Sequence, residues 1–235
     1  DGHSRGLPGG GRWQRPVCIR DSSDPSRTKD TRDVDFSTGS VGLGVAETLF
    51  ASLVQDYTRL NGLMGEDARP GRMVALMGDA ELDEGNVFEA LLEGWKYDVG
   101  NLWWVIDYNR QSLDGVINHM LFQKIQSFFS TVDWHVVTLK YGKKLEAARS
   151  GPAGEVLLDW IDTCPNDLYS ALTFKGEGAW RERLLGDLTG ASGLKTLLDD
   201  HDDASLHALM TNLAGHDIES VLEAFHSAPP DGPCC

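Results

Sequence analysis

The sequence predicts an α/β fold, a parallel sheet with helices on both faces, followed by a helical C-terminal segment. Three observations carry this reading. Two short apolar runs, Met73–Met77 and Leu102–Ile106, each lead into a polar segment. Between them lies an amphipathic stretch of crossover length, which makes a βαβ unit. Beyond Cys164-Pro165 the apolar pattern turns helical throughout, broken at Thr189-Gly190, His201-Asp202 and Gly215-His216-Asp217.

In chain order, residues 1–35 read as an irregular, disordered leader, rich in Gly and Arg and without a period of either regular structure. This leader holds 7 basic and 6 acidic residues, leaving 14 basic and 30 acidic for the remainder. Phe36 to Ala46 opens the ordered part. Gly39, Gly42 and Gly44 stand where a loop becomes a helix, and Val45, Leu49, Leu53 and Val54 carry that helix to about Leu60. These glycines could bring backbone close to a phosphate or a ring, or simply pack a helix closely. They are not a dinucleotide fingerprint, because position 47 is Glu47 and no strong strand precedes them.

The first strand then runs into Gly78-Asp79-Ala80-Glu81-Leu82-Asp83-Glu84. A calcium loop is excluded, since the glycine falls one place late and its twelfth position would be Ala90. Asp83 and Glu84 suit a helix first turn, with Val87, Ala90, Leu91 and Trp95 as the apolar stripe. After the second strand come a helix over 117–132, a third strand over Trp134–Leu139 and a helix over Glu155–Thr163. Short helices follow at about 166–174, 179–188, 191–200, 204–213 and 217–227, the last capped by Asp217. The boundaries expected are a domain over 36–163, a helical extension over 164–228 and a frayed tail over 229–235.

Composition excludes some functions. The formal net charge of −15, from 36 acidic and 21 basic residues, argues against nucleic acid and anionic membrane as partners. No apolar run reaches about 18 residues, and no secretory apolar segment opens the chain. Cys18, Cys164, Cys234 and Cys235 fit no zinc spacing and read as thiols in a reducing, cytoplasmic setting.

The chemistry sits where the two parallel strands end. Both point the same way, so Asp79 and Asn109 emerge at one carboxyl edge, where open α/β sheets bind ligands. Asp79 is either a structural turn residue or a ligand for a hard cation. With Asn109 and a carbonyl from a neighbouring strand end it would suit Mg²⁺ on a diphosphate, since further carboxylates would repel the anion.

These residues also carry a likeness. Gly78-Asp79-Ala80 followed by Asn109 resembles the thiamine diphosphate motif of the transketolase superfamily. Gly78 to Glu84 looks like the Gly-Asp-Gly-Glu-Met-Asp-Glu of homodimeric pyruvate dehydrogenase E1, and Asn109 to Gly115 like its Asn-Leu-Gln-Arg-Leu-Asp-Gly. Thr173-Phe174-Lys175, Arg181-Glu182 and Gly215-His216-Asp217 resemble later blocks of that family. The likeness runs from about Pro25 to Ala228. It implies a thiamine-diphosphate-binding fold, with Asp79, the Asn109 side chain and the Gln111 backbone carbonyl on Mg²⁺. Gly78, Ala80 and Glu81 would line the diphosphate, Gly39 and Val41 the aminopyrimidine, and Lys175 the substrate end. It further implies oxidative decarboxylation of a 2-oxo acid such as pyruvate, acyl transfer to a lipoyl-bearing E2 subunit, and a homodimer.

The departures define what the chain is expected to lack. Ala80 replaces a motif glycine, and Asp24 stands where a tyrosine precedes Pro25 in the family. The upstream His-x-Ser-Pro-Gly loop and the pyrimidine-binding domain fall outside the sequence, so the expectation is the diphosphate and Mg²⁺ half of the site alone. The alternatives are a non-catalytic assembly module of the same fold or a transketolase-type transferase, the latter disfavoured by the absence of clustered histidines.

Overall fold

The computed structural model describes residues 35–36, 38, 40–65, 68, 71–108, 111–112, 115–116, 121–176, 178–229 and 232–235. Helix α1 (Leu43–Leu60) leads to strand β1 (Met73–Gly78), a 3₁₀ turn (Asp79–Asp83), helix α2 (Gly85–Lys96) and strand β2 (Leu102–Asp107). The two strands pair in parallel from Met73↔Leu102 to Gly78↔Asp107. A short antiparallel hairpin, β3 (Gln111–Ser112) with β4 (Gly115–Val116), follows, and then helix α3 (Leu121–Thr131). The expected βαβ unit is therefore present. Its 3₁₀ turn displaces the expected helix start, so Asp83 and Glu84 precede α2 rather than forming its first turn.

Alternation along the strands sorts their side chains. Ala75, Met77, Leu102 and Trp104 are buried in one core with Val45 and Leu49 of α1, Val87, Ala90 and Leu91 of α2, and Phe129 and Trp134. Polar links lock α1 onto this face. Trp104 Nε1–H donates to Thr48 Oγ1 at 3.3 Å, and Ser52 Oγ donates to Asn101 Oδ1. On the opposite face the Arg72 guanidinium lies 3.9 Å from the ring centroid of Trp103, on which the ring of Phe225 also stacks. Val74 and Leu76 on that face are exposed.

The C-terminal residues correct the expectation of a frayed tail. Gly232–Cys235 runs parallel to β2 and fills the place beside it. Cys234 N–H donates to Leu102 O at 3.0 Å, and Cys234 O accepts from Trp104 N–H at 2.9 Å. On its other side the tail pairs with the third predicted strand, through His135 N–H to Pro233 O at 3.0 Å and Val137 N–H to Cys235 O at 2.8 Å. The segment from Trp134 is thus extended, and the tail stands between its backbone and that of β2. Gly and Pro made residues 229–235 read as an end without structure; backbone pairing, to which side-chain periodicity is blind, orders Gly232–Cys235.

The second core is helical: α4 (Lys143–Arg149), α5 (Gly154–Thr163), α6 (Asn166–Lys175), α7 (Ala179–Asp187), α8 (Leu194–Asp199) and α9 (Asp203–Met210). Leu145, Leu157, Leu158, Trp160, Trp180, Leu184 and Leu206 are among its buried residues. Helix α10 (Ile218–Ser227) closes the series and supplies Phe225 to the sheet. Asp217 caps α10 as the sequence predicts, accepting from Ser220 N–H at 3.2 Å. Among the described residues no helix is long and apolar enough to cross a membrane.

Candidate cofactor site at the strand ends

The Gly78↔Asp107 register sets the end of β2 beside the turn that begins at Asp79. The β3 backbone, including Gln111, packs against the same turn. The structure therefore gathers Gly78, Asp79, Ala80, Glu81 and the Gln111 main chain at one edge. Asp79 is the buried carboxylate there, 4% exposed. Among the described residues, no atom lies within 4 Å of a Cβ built on Gly78. Ala80 sits inside the 3₁₀ turn and is not among the residues of positive φ. Its methyl group imposes no backbone strain where the family motif has glycine.

Glu81 does something the motif alone does not reveal. Its Oε2 accepts from Gly42 N–H at 3.0 Å and its Oε1 from Gly78 N–H at 3.3 Å. One carboxylate so fastens the turn that opens α1 to the end of β1. Only half of this was legible, since a Glu three residues after an N-cap position signals a bond back to the cap. The Gly42 contact spans 39 residues and leaves no local pattern. Gly42 itself has φ 78°, and a Cβ there would come within 2.9 Å of Glu84 Cβ and Asn86 Oδ1. Val41, beside it, is exposed.

Gly39 and Asn109 lie outside the described residues, as does the side chain of Gln111. Lys175 is an exposed side chain at the end of α6, where a cation complements the helix C-terminus. Among the described residues no group of three His, Cys, Asp or Glu side chains could hold a metal. A hard cation at this edge would take one carboxylate, and neutral oxygens with the diphosphate would complete its shell; that donor chemistry suits Mg²⁺.

Residues 21–151 match the family described as transketolase, thiamine diphosphate binding domain. The chain belongs to this family. Among curated relatives, it is 26% identical over 200 residues to the pyruvate dehydrogenase E1 component of Mycobacterium tuberculosis, covering 83% of this chain and 20% of that protein. It is 28% identical over 198 residues to the component of the same name from Escherichia coli K12, covering 82% and 21%. The corresponding protein of Corynebacterium glutamicum is 25% identical over 198 residues, covering 83% and 20%. The chain thus spans about a fifth of the length of the curated relatives it matches. The resemblance read from the motif blocks, to the thiamine-diphosphate domain of pyruvate dehydrogenase E1, holds.

Two later blocks have structural work in this fold. The Arg181 guanidinium donates from Nη1 to Leu198 O at 2.8 Å, from Nη2 to His201 O at 2.5 Å and from Nε to Asp203 Oδ1 at 2.5 Å. It thereby closes the end of α8. Besides capping α10, Asp217 Oδ2 accepts from Lys143 N–H at 2.8 Å and from Asn212 Nδ2 at 3.2 Å. The Lys143 and Ser220 backbone bonds hold its carboxyl below the usual carboxylate range. A carboxyl with a depressed folded pKa stabilises above its unfolded pKa of about 3.9, and that stability is lost as pH falls through the lower, folded value. We expect Asp217→Ala to melt below wild type at neutral pH, with the gap narrowing below about pH 4. Melting curves at both pH values check this; a gap that stays constant would show that the charge contributes nothing.

Proposed function

We propose that this chain provides the diphosphate and Mg²⁺ half of a thiamine-diphosphate site of the pyruvate dehydrogenase E1 type. Asp79, the Asn109 side chain and the Gln111 carbonyl would hold Mg²⁺. Gly78, Ala80 and the backbone of Glu81 would line the diphosphate, and Gly39 and Val41 the aminopyrimidine. The observation that carries this reading is the buried Asp79 carboxylate, placed at the shared end of two parallel strands. Bound thiamine diphosphate supplies a nucleophilic thiazolium carbon and an electron sink for decarboxylation of a 2-oxo acid. The protein's part here is to anchor the charged end and keep the ring end at a fixed distance from it.

The relatives' name, pyruvate dehydrogenase E1 component, supports pyruvate as the 2-oxo acid. Acyl transfer to a lipoyl-bearing E2 subunit and a homodimeric, cytoplasmic enzyme complete the proposed setting. Lys175 would then stand toward the substrate end.

Titration calorimetry tests the reading. Thiamine diphosphate is expected to bind the wild-type chain only when Mg²⁺ is present. Asp79→Ala is expected to weaken that binding at least about tenfold, since loss of even an outer-shell partner of a metal ligand costs about 10–100-fold. A wild-type chain giving no heat, or an Asp79→Ala chain giving the same heat, would overturn it. A folded chain that binds no cofactor yet docks with full-length enzyme would establish the assembly-module alternative.

A further inference from the structure

We infer that Glu81 is a positioning residue which sets the distance between the two ends of the cofactor site; this rests on the function proposed above. Two turns would meet the cofactor, the one at Val41-Gly42 near its ring and the one at Gly78-Asp79 near its diphosphate. They come from distant parts of the chain, one at the N-terminal end of α1 and the other at the carboxyl end of β1. The Glu81 carboxylate joins the turns directly, with one oxygen on Gly42 N–H at 3.0 Å and the other on Gly78 N–H at 3.3 Å. Both bonds are charge-assisted, and together they use both oxygens of a single planar group. The Gly42 turn is held from behind as well, because it packs on Glu84, Asn86 and Val87 at the start of α2.

This geometry makes a prediction opposite in sign to the simplest alternative. A glutamate that merely sits near a diphosphate repels it. Removing its charge would then tighten thiamine diphosphate and inorganic diphosphate alike. A glutamate that braces the two turns acts otherwise. Glu81→Gln keeps size and shape but offers one acceptor oxygen and one amide NH₂, so an N–H donor of one turn faces another donor. The turns then lose their common anchor. Inorganic diphosphate touches only the strand end, whereas thiamine diphosphate must span both turns.

The experiment is calorimetry with two probes, thiamine diphosphate with Mg²⁺ and inorganic diphosphate with Mg²⁺, on wild type and Glu81→Gln. Melting curves without ligand accompany them. The expected result is an affinity for thiamine diphosphate about tenfold weaker in Glu81→Gln, the size of one lost charge-assisted hydrogen bond. Affinity for inorganic diphosphate is expected to stay unchanged or rise. Both affinities shifting together would overturn the positioning role while leaving the proposed function standing. A wild-type chain that binds neither probe overturns the proposed function, and the positioning role with it. Should Glu81→Gln not fold, Glu81→Asp keeps the charge and shortens the reach, and the same split between probes is expected.

Discussion

Trp104→Ala is expected to destabilise the α/β part by about 4 kcal/mol, the range found when a buried large aromatic is truncated in a close-packed interior. Trp104 is 1% exposed and lies on β2 at the centre of the first core. Its ring meets Trp134 at 4.7 Å and Phe129 edge-on at 6.0 Å between centroids. Its indole N–H is satisfied by Thr48 Oγ1, whose own proton goes to Val45 O at 2.7 Å. Truncation opens a large cavity and removes the bond that seats α1. It also loosens the strand whose main chain holds Cys234. Trp104→Phe refills much of the space without the N–H and is expected to cost about 1–2 kcal/mol. Urea unfolding followed by near-ultraviolet dichroism measures both. Phe50→Ala, at an exposed position on α1, is the comparison. If Trp104→Ala shifted the midpoint no more than Phe50→Ala, the core would not be organised around this residue.

How much of this was legible in the sequence depended on whether a feature was local. The βαβ unit shows in side-chain period, and the helices between Asn166 and Ser227 show as much in their punctuation, since α6 buries only Leu172 and α10 has no fully buried residue. Helix α4 was missed because its seven residues, with Leu145 as the one buried position, are too short for a period to show. The β3–β4 hairpin was missed because two-residue strands have no alternation to read. The sheet position of Gly232–Cys235 was invisible because Pro and Gly mask a segment whose order comes from main-chain bonds. In the candidate site, Asp79 was readable from a carboxylate behind a strand and a glycine. The second contact of Glu81 was not, since only the folded chain brings Gly42 to it.

Gly42→Ala is the second large effect, expected to cost about 3 kcal/mol and to weaken thiamine diphosphate binding. Gly42 has φ 78° as the residue preceding α1. An L side chain pays about 1–2 kcal/mol in that left-handed region, and overpacking adds about 1–3 kcal/mol. The new methyl would lie 2.9 Å from Glu84 Cβ, 2.9 Å from Asn86 Oδ1 and 3.1 Å from Val87 Cγ2. The Asn86 amide could rotate aside, but Glu84 Cβ is fixed to the main chain that starts α2, so the turn itself must move. Its N–H then leaves Glu81, and the ring side of the proposed site separates from the strand end. Gly44→Ala, two residues on, has the opposite expectation. Gly44 lies within α1, and among the described residues a Cβ there meets only Thr38 Cγ2, at 3.5 Å. It is expected to be neutral or stabilising by up to about 1 kcal/mol, as alanine is over glycine in a helix. Melting temperatures together with thiamine diphosphate titrations separate the two variants. If they behaved alike, the glycine at position 42 would not be required by the backbone, and the bridge from α1 to the strand end would lose its physical basis.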